Sequence, residues 1–126
     1  MPACVSLAAG QVVGVTYIYP TFDCYDPLGR HVVLMDDIWY GKILRKRPEL
    51  SSAVDALELT LTDPEMICDD KQFPNRECYY RESMLPAPYG WSAVKVVVEF
   101  TDDEGMVVTA YPEYGPDPRE RCTWLR

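Results

Sequence analysis

Apolar positions along the chain follow two rhythms. Between residues 36 and 62 they recur at helical spacing. From residue 66 onward they alternate or run together, as in strands. Trp39 and Ile43 are four apart, as are Tyr40 and Leu44, which makes an apolar stripe at the helical period. Asp36 and Asp37 precede the stripe as N-caps whose charge suits a helix N-terminus. Pro48 makes Arg47 the last residue of this helix. A second helix follows, capped by Ser51 or Ser52, with Ser52 and Asp55 approximating a capping box. Val54, Leu57 and Leu61 mark its buried face, Ala53 and Ala56 permit close packing, and the Asp-Pro-Glu word at 63–65 ends it.

The remaining elements read as strands and turns. QVVGVTYIY at 11–19 is β-branched and aromatic, a strand. Pro20 to Gly29 is rich in Asp and Pro, a turn region, and HVVLM at 31–35 is a short strand or a lead-in to the helix. MIC at 66–68 leads into a turn. RECYYR at 76–81 alternates, with Cys78 and Tyr80 on one side and Glu77, Tyr79 and Arg81 on the other. A loop with two prolines spans 83–91. AVKVVVEF at 93–100 is the strongest strand, DDEG at 102–105 a hairpin turn, and MVVTAYP at 106–112 the return partner. The Pro-rich tail adds a last short strand. The pattern predicts one α+β domain over 1–126: an N-terminal strand and two helices packed on an antiparallel sheet of about four strands.

Bulk properties narrow the function. A chain of 126 residues, 48% hydrophobic, can bury a real core. A net charge of −8 argues against coating nucleic acid through bulk charge, and against an anionic membrane surface. The apolar first twenty residues hold no Lys or Arg and are interrupted by Gly and polar residues, which fits neither a secretory signal nor a membrane span. The five cysteines include no CxxC pair, and His31 is the single histidine, so no metal site or cofactor is signalled. The cysteines read as mostly reduced and buried, in a cytoplasmic protein. No phosphate loop, nucleophile elbow or dinucleotide fingerprint is present.

Against that acidic background, four of the twelve Lys and Arg residues fall between Lys42 and Arg47. A helix C-terminus, where cations interact well with the dipole, accounts for part of this run. A phosphate site accounts for it as well.

The words W…KI…RPEL…TLTDPEMI…D…R…YYR…VVVEF…G.VVTAY, across residues 31–112, resemble the small phage- and toxin-associated nuclease domains of the barnase–EndoU–colicin–RelE superfamily. The resemblance implies helices packed on a four-stranded antiparallel sheet, and metal-independent RNA cleavage by attack of the ribose 2′-hydroxyl on the adjacent phosphate. Lys42 and Arg47 stand where related domains tend to carry histidines, so phosphate binding is favoured over proton transfer at those two positions. Tyr111 matches the TAY word that ends the core sheet, and Thr109 shares its face. If the strand faces coincide with the helix end, Lys42, Arg47, Arg81, Thr109 and Tyr111 line one catalytic cleft. Glu49 reads more readily as an ordinary loop carboxylate than as a general base. The alternative is a catalytically inactive member of the fold, an acidic module that binds a basic or nucleic-acid-binding protein.

Overall fold

A computed structural model describes residues 19–82, 85, 88–89 and 92–126. All but Tyr19 of the strand expected at 11–19, and part of the 83–91 loop, lie outside the described residues. Seven strands run Pro20–Tyr25 (β1), His31–Met35 (β2), Met66–Asp69 (β3), Arg76–Glu82 (β4), Ala93–Thr101 (β5), Glu104–Glu113 (β6) and Cys122–Leu125 (β7). They form one sheet in the order β1-β2-β6-β5-β4-β3-β7. Among the described residues only β2 and β6 pair parallel, and the other pairs are antiparallel.

The sheet is therefore mixed and seven-stranded, and it replaces the expected antiparallel sheet of about four strands beneath two helices. The difference lies at the edges. Pro20–Tyr25 is a strand although Pro20, Asp23 and Asp26 signal a turn, because an edge strand tolerates proline at its first residue. It forms a hairpin with β2, and that hairpin docks parallel beside β6. On the far edge the tail returns to pair with β3.

The helical region is also less regular than its periodicity implies. It comprises α1 (Asp36–Ile38), a π turn (Trp39–Ile43), α2 (Leu44–Lys46), a 3-10 turn (Pro48–Ser52) and α3 (Val54–Thr62). Gly41 sits mid-turn, where its weak helical preference lets the ladder slip to i→i+5, with the Leu44 N–H donating to the Trp39 carbonyl. Trp39 and Ile43 are buried and Leu44 packs partly buried against the core, whereas Tyr40 is exposed, so three of the four stripe residues face inward. The serines cap nothing: Ala53 occupies the N-cap of α3, without a side-chain bond. Ala56, Leu57, Thr60 and Leu61 form the buried face of α3. Thr60 satisfies its buried hydroxyl on the Ala56 carbonyl at 2.7 Å.

The central strand β5 is covered on both of its faces, since it is buried over six consecutive residues. On the helix face, Val94, Val96 and Val98 meet Leu50, Leu57, Leu61, Trp39 and Ile43. The opposite face holds Cys68, Cys78, Tyr80 and Val97, with Met66, Val108 and Tyr111 against them. Across the top of the helix face, Asp26 is fully desolvated and accepts from Tyr79 Oη at 2.6 Å and from Arg30 Nε at 3.0 Å. Arg30 continues to Glu77 at 2.8 and 2.9 Å and lies 4.1 Å above the Phe100 ring.

The thiol assignment of the sequence holds for two cysteines and fails for two others. Cys24 and Cys78 are buried thiols, whereas Cys68 and Cys122 are joined as a disulfide across β3 and β7. Cys4 lies outside the described residues. No helix among the described residues is long and apolar enough to cross a membrane.

Candidate functional site

The basic run and β6 meet at one cleft of about 320 Å³, lined by Lys42, Lys46, Arg47, Thr109 and Tyr111. Two local irregularities produce it. The π turn widens the helix just where Lys42 leaves it. Pro48 then holds Arg47 out of the helix, at φ −139° and ψ 76°. A bulge at Val97/Val98 on the β5–β6 pair supplies the other wall, since it leaves Val108 without an opposite residue. Lys42 Nζ donates to the Val108 carbonyl at 2.7 Å and so bolts the helical segment to the bulged strand.

Arg47 stands 5.8 Å from the centre of the Tyr111 ring, within cation–π range. Lys95 approaches the same ring at 5.6 Å. Beyond Arg47, Tyr89 Oη donates to Glu49 Oε2 at 2.5 Å. That bond holds the Glu49 carboxyl below its usual range, with its own backbone N–H and Arg47 acting in the same direction. Glu49 is thus an acceptor held toward its ionised form by Tyr89 and by the Arg47 charge, although it is not among the residues that line the cleft.

Four of the five residues expected in the cleft are brought together there: Lys42, Arg47, Thr109 and Tyr111. Arg81 is not among them. It follows Tyr80 on β4 and so projects to the helix face, opposite to Thr109 and Tyr111. Its Nη1 donates to the carbonyl and the carboxylate of Asp63, at 2.5 and 3.0 Å, where it ties β4 to the end of α3. Lys46 belongs to the cleft although the sequence reading singled out only its neighbours Lys42 and Arg47. Arg45 and Gly41 extend the cation surface along an adjoining depression that shares Lys42 and Lys46. His31 is remote, at the start of β2, where it contacts Glu104 at 2.9 Å.

Behind Tyr111 lies a buried polar cluster that the sequence signals only through Lys95, a lysine inside an apolar strand word. Lys95 and Glu120 have side-chain exposures of 6% and 0%, and their charged atoms are 2.9 Å apart. Tyr80 Oη donates to the other Glu120 oxygen. Burial lowers the Lys95 pKa most strongly, but the hydrogen bond to Glu120 together with the nearby Cys78, Tyr111 and Glu120 charges more than offsets it and leaves the ammonium above its ordinary value. Asp70, Cys78 and Glu120 present ligand atoms within 4.8 Å of one another. The Lys95 ammonium already supplies the positive charge at this trio, which makes it an ion-pair network rather than a metal centre. A second depression of about 410 Å³, bordered by Lys71, Lys95, Tyr111, Tyr114 and Asp117, opens on the far side of Tyr111.

No family model, curated protein or solved structure matches this chain.

Proposed function

We propose that the cleft binds the phosphodiester backbone of RNA and that the protein is a metal-independent endoribonuclease acting by 2′-hydroxyl attack. The observation that carries this reading is the convergence of Lys42, Lys46 and Arg47 with the Thr109 and Tyr111 hydroxyls in one open cleft, on a chain of net charge −8. Three cations and two neutral donors suit a phosphate whose charge grows in the transition state. The Tyr111 hydroxyl supplies the donor for the leaving oxygen. Arginine stays charged and serves only to hold the phosphate.

A second reading is supported by Lys42, whose ammonium is engaged by the Val108 carbonyl, and by a cleft with no histidine. On that reading the domain is an inactive member of the same fold that binds a basic protein partner. Cleavage of total RNA in EDTA separates the two. Wild-type protein cleaves on the first reading, Lys42→Ala and Arg47→Ala lose at least tenfold, and Arg81→Ala keeps its rate because its side chain serves the other face. A folded wild-type sample that neither cleaves nor binds RNA rejects the nuclease.

A further inference from the structure

β3 carries Cys68 between two other cysteines. The register sets Cys78 of β4 directly opposite on one side and Cys122 of β7 directly opposite on the other. Cys68 and Cys78 pack in one cluster on the face away from the helices, while Cys24 is in the core on the helix face. The two neighbours of Cys68 are not equivalent. The Asp69 N–H donates to the Arg121 carbonyl at 2.8 Å, which makes Cys68 and Cys122 a non-hydrogen-bonded pair. The Asp70 N–H donates to the Arg76 carbonyl at 3.0 Å, so Cys68 and Cys78, two residues along, form a hydrogen-bonded pair. Side chains stand closer in the first kind of pair. Accordingly Cys122 holds the disulfide, with Cα atoms 3.7 Å apart, and Cys78 is a thiol.

The Cys78 thiol is not in plain apolar surroundings. Its Sγ lies 3.6 Å from Asp70 Oδ1 and 3.7 Å from Glu120 Oε2, and the Lys95 ammonium is on the same Glu120 oxygen. Cys68 and Cys78 are fully buried, whereas Cys122 is exposed at the edge strand.

We propose that Cys78, Cys68 and Cys122 form an internal thiol–disulfide exchange centre in which Cys68 has two alternative partners. Cys78 gives its proton to the Asp70 or Glu120 carboxylate. The resulting thiolate attacks Cys68 Sγ and forms the Cys68–Cys78 bond. The Cys68–Cys122 bond breaks, its electron pair leaves on Cys122 Sγ, and that sulfur takes up a proton. One disulfide and one thiol stand on each side, so no oxidant or reductant enters. Burial, followed by the nearby carboxylates and opposed by Lys95, pushes the Cys78 thiol up to about 12. The exchange therefore runs on the minutes-to-hours scale of uncatalysed disulfide rearrangement rather than in seconds. In the second state β7 has no covalent tie, and an exposed Cys122 thiol is open to small thiols and electrophiles. None of this depends on whether the cleft binds RNA.

The test uses the full unreduced chain with Cys4→Ser as background, held native in iodoacetamide for hours and then mapped as peptides without reduction. The expected result is carbamidomethyl-Cys122 together with a Cys68–Cys78 cross-link, accumulating together and absent from the Cys78→Ser variant. An unmodified Cys122, or equal modification with Cys78→Ser, overturns the proposal. A Cys122→Ser variant treated with oxidised glutathione is an independent check. A Cys68–Cys78 disulfide is expected, and two persistent free thiols overturn the alternative pairing.

Discussion

Replacing Lys95 with methionine isolates the buried ion pair. Methionine keeps an unbranched apolar side chain and removes the ammonium that lies over the Tyr80 and Tyr111 rings. Glu120, with no exposed side-chain surface, is then left with Tyr80 Oη and the weak Cys78 donor. Breaking a buried pair from one side costs about 3–5 kcal/mol, because a desolvated charge loses its partner. The two remaining donors place this case near about 3 kcal/mol. At a urea m-value of about 2 kcal/mol/M, the unfolding midpoint falls by ~1.5 M. The triple variant Lys95→Met, Glu120→Leu, Tyr80→Phe removes the buried pair and the tyrosine donor, leaving only the weak Cys78 donor, and returns to within about 1 kcal/mol of wild type, since apolar replacements of a buried pair are often neutral. Urea titrations with the Cys68–Cys122 disulfide intact measure both. A Lys95→Met loss under about 1 kcal/mol, or a triple variant weaker than the single one, refutes the claim that the cost lies in the orphaned carboxylate.

Asp70 gives a pH prediction. Partial burial raises its pKa, but the Phe73 and Gln72 N–H groups outweigh this and leave it depressed. A depressed folded value contributes stability above about pH 4 that is lost as pH falls through that value, so Asp70→Asn should show a shallower acid decline than wild type in urea midpoints between pH 5 and pH 2. Two glycines should respond in opposite directions to alanine. At Gly41 a Cβ meets nothing within 4 Å, so Gly41→Ala should stabilise by about 0.5–1 kcal/mol. At Gly105 a Cβ would lie 2.7 Å from Val98 Cγ1 and 2.8 Å from Phe100 Cε1, so Gly105→Ala should cost about 1–3 kcal/mol; thermal melts decide both. For RNA binding, three cations at the phosphate give a log–log salt slope of about −2, and Arg47→Ala should reduce its steepness by about 0.7; a slope near zero by fluorescence anisotropy contradicts phosphate contact.

The parts of the fold that the sequence disclosed are those where one local rule dominates. β4 and β5 carry clean alternation or continuous apolar runs, and the structure places both where those words fall. Tertiary context decided the rest. Pro20–Tyr25 has turn composition yet pairs with β2, because a strand at the end of the sheet formed by the described residues tolerates a proline at its first position. The parallel β2–β6 contact leaves no local trace, since it joins residues about 70 positions apart. Cys68 and Cys122 are separated by 54 residues, and their bond follows from the β3–β7 register, which spacing alone cannot reveal.

The candidate cleft divides along the same line. Period-two reasoning put Thr109 and Tyr111 on one face and Arg81 on the face of Tyr79, and that alternation is the reason Arg81 belongs elsewhere. What the sequence could not supply was which of the two strand faces the basic segment reaches. The π turn and the bulge at Val108 bear on that, because Lys42 reaches the Val108 carbonyl and shares its cleft with Thr109 and Tyr111. Both irregularities interrupt regular ladders, and Lys42 holds the carbonyl of Val108, the residue left without a partner by the bulge. The position of the cleft is thus a consequence of two local faults in otherwise regular elements. Restoring regular α geometry at Gly41 should shift Lys42 relative to Val108, so the stabilised Gly41→Ala variant should bind RNA more weakly than wild type. Unchanged affinity in that variant would mean that the π turn does not set the cleft.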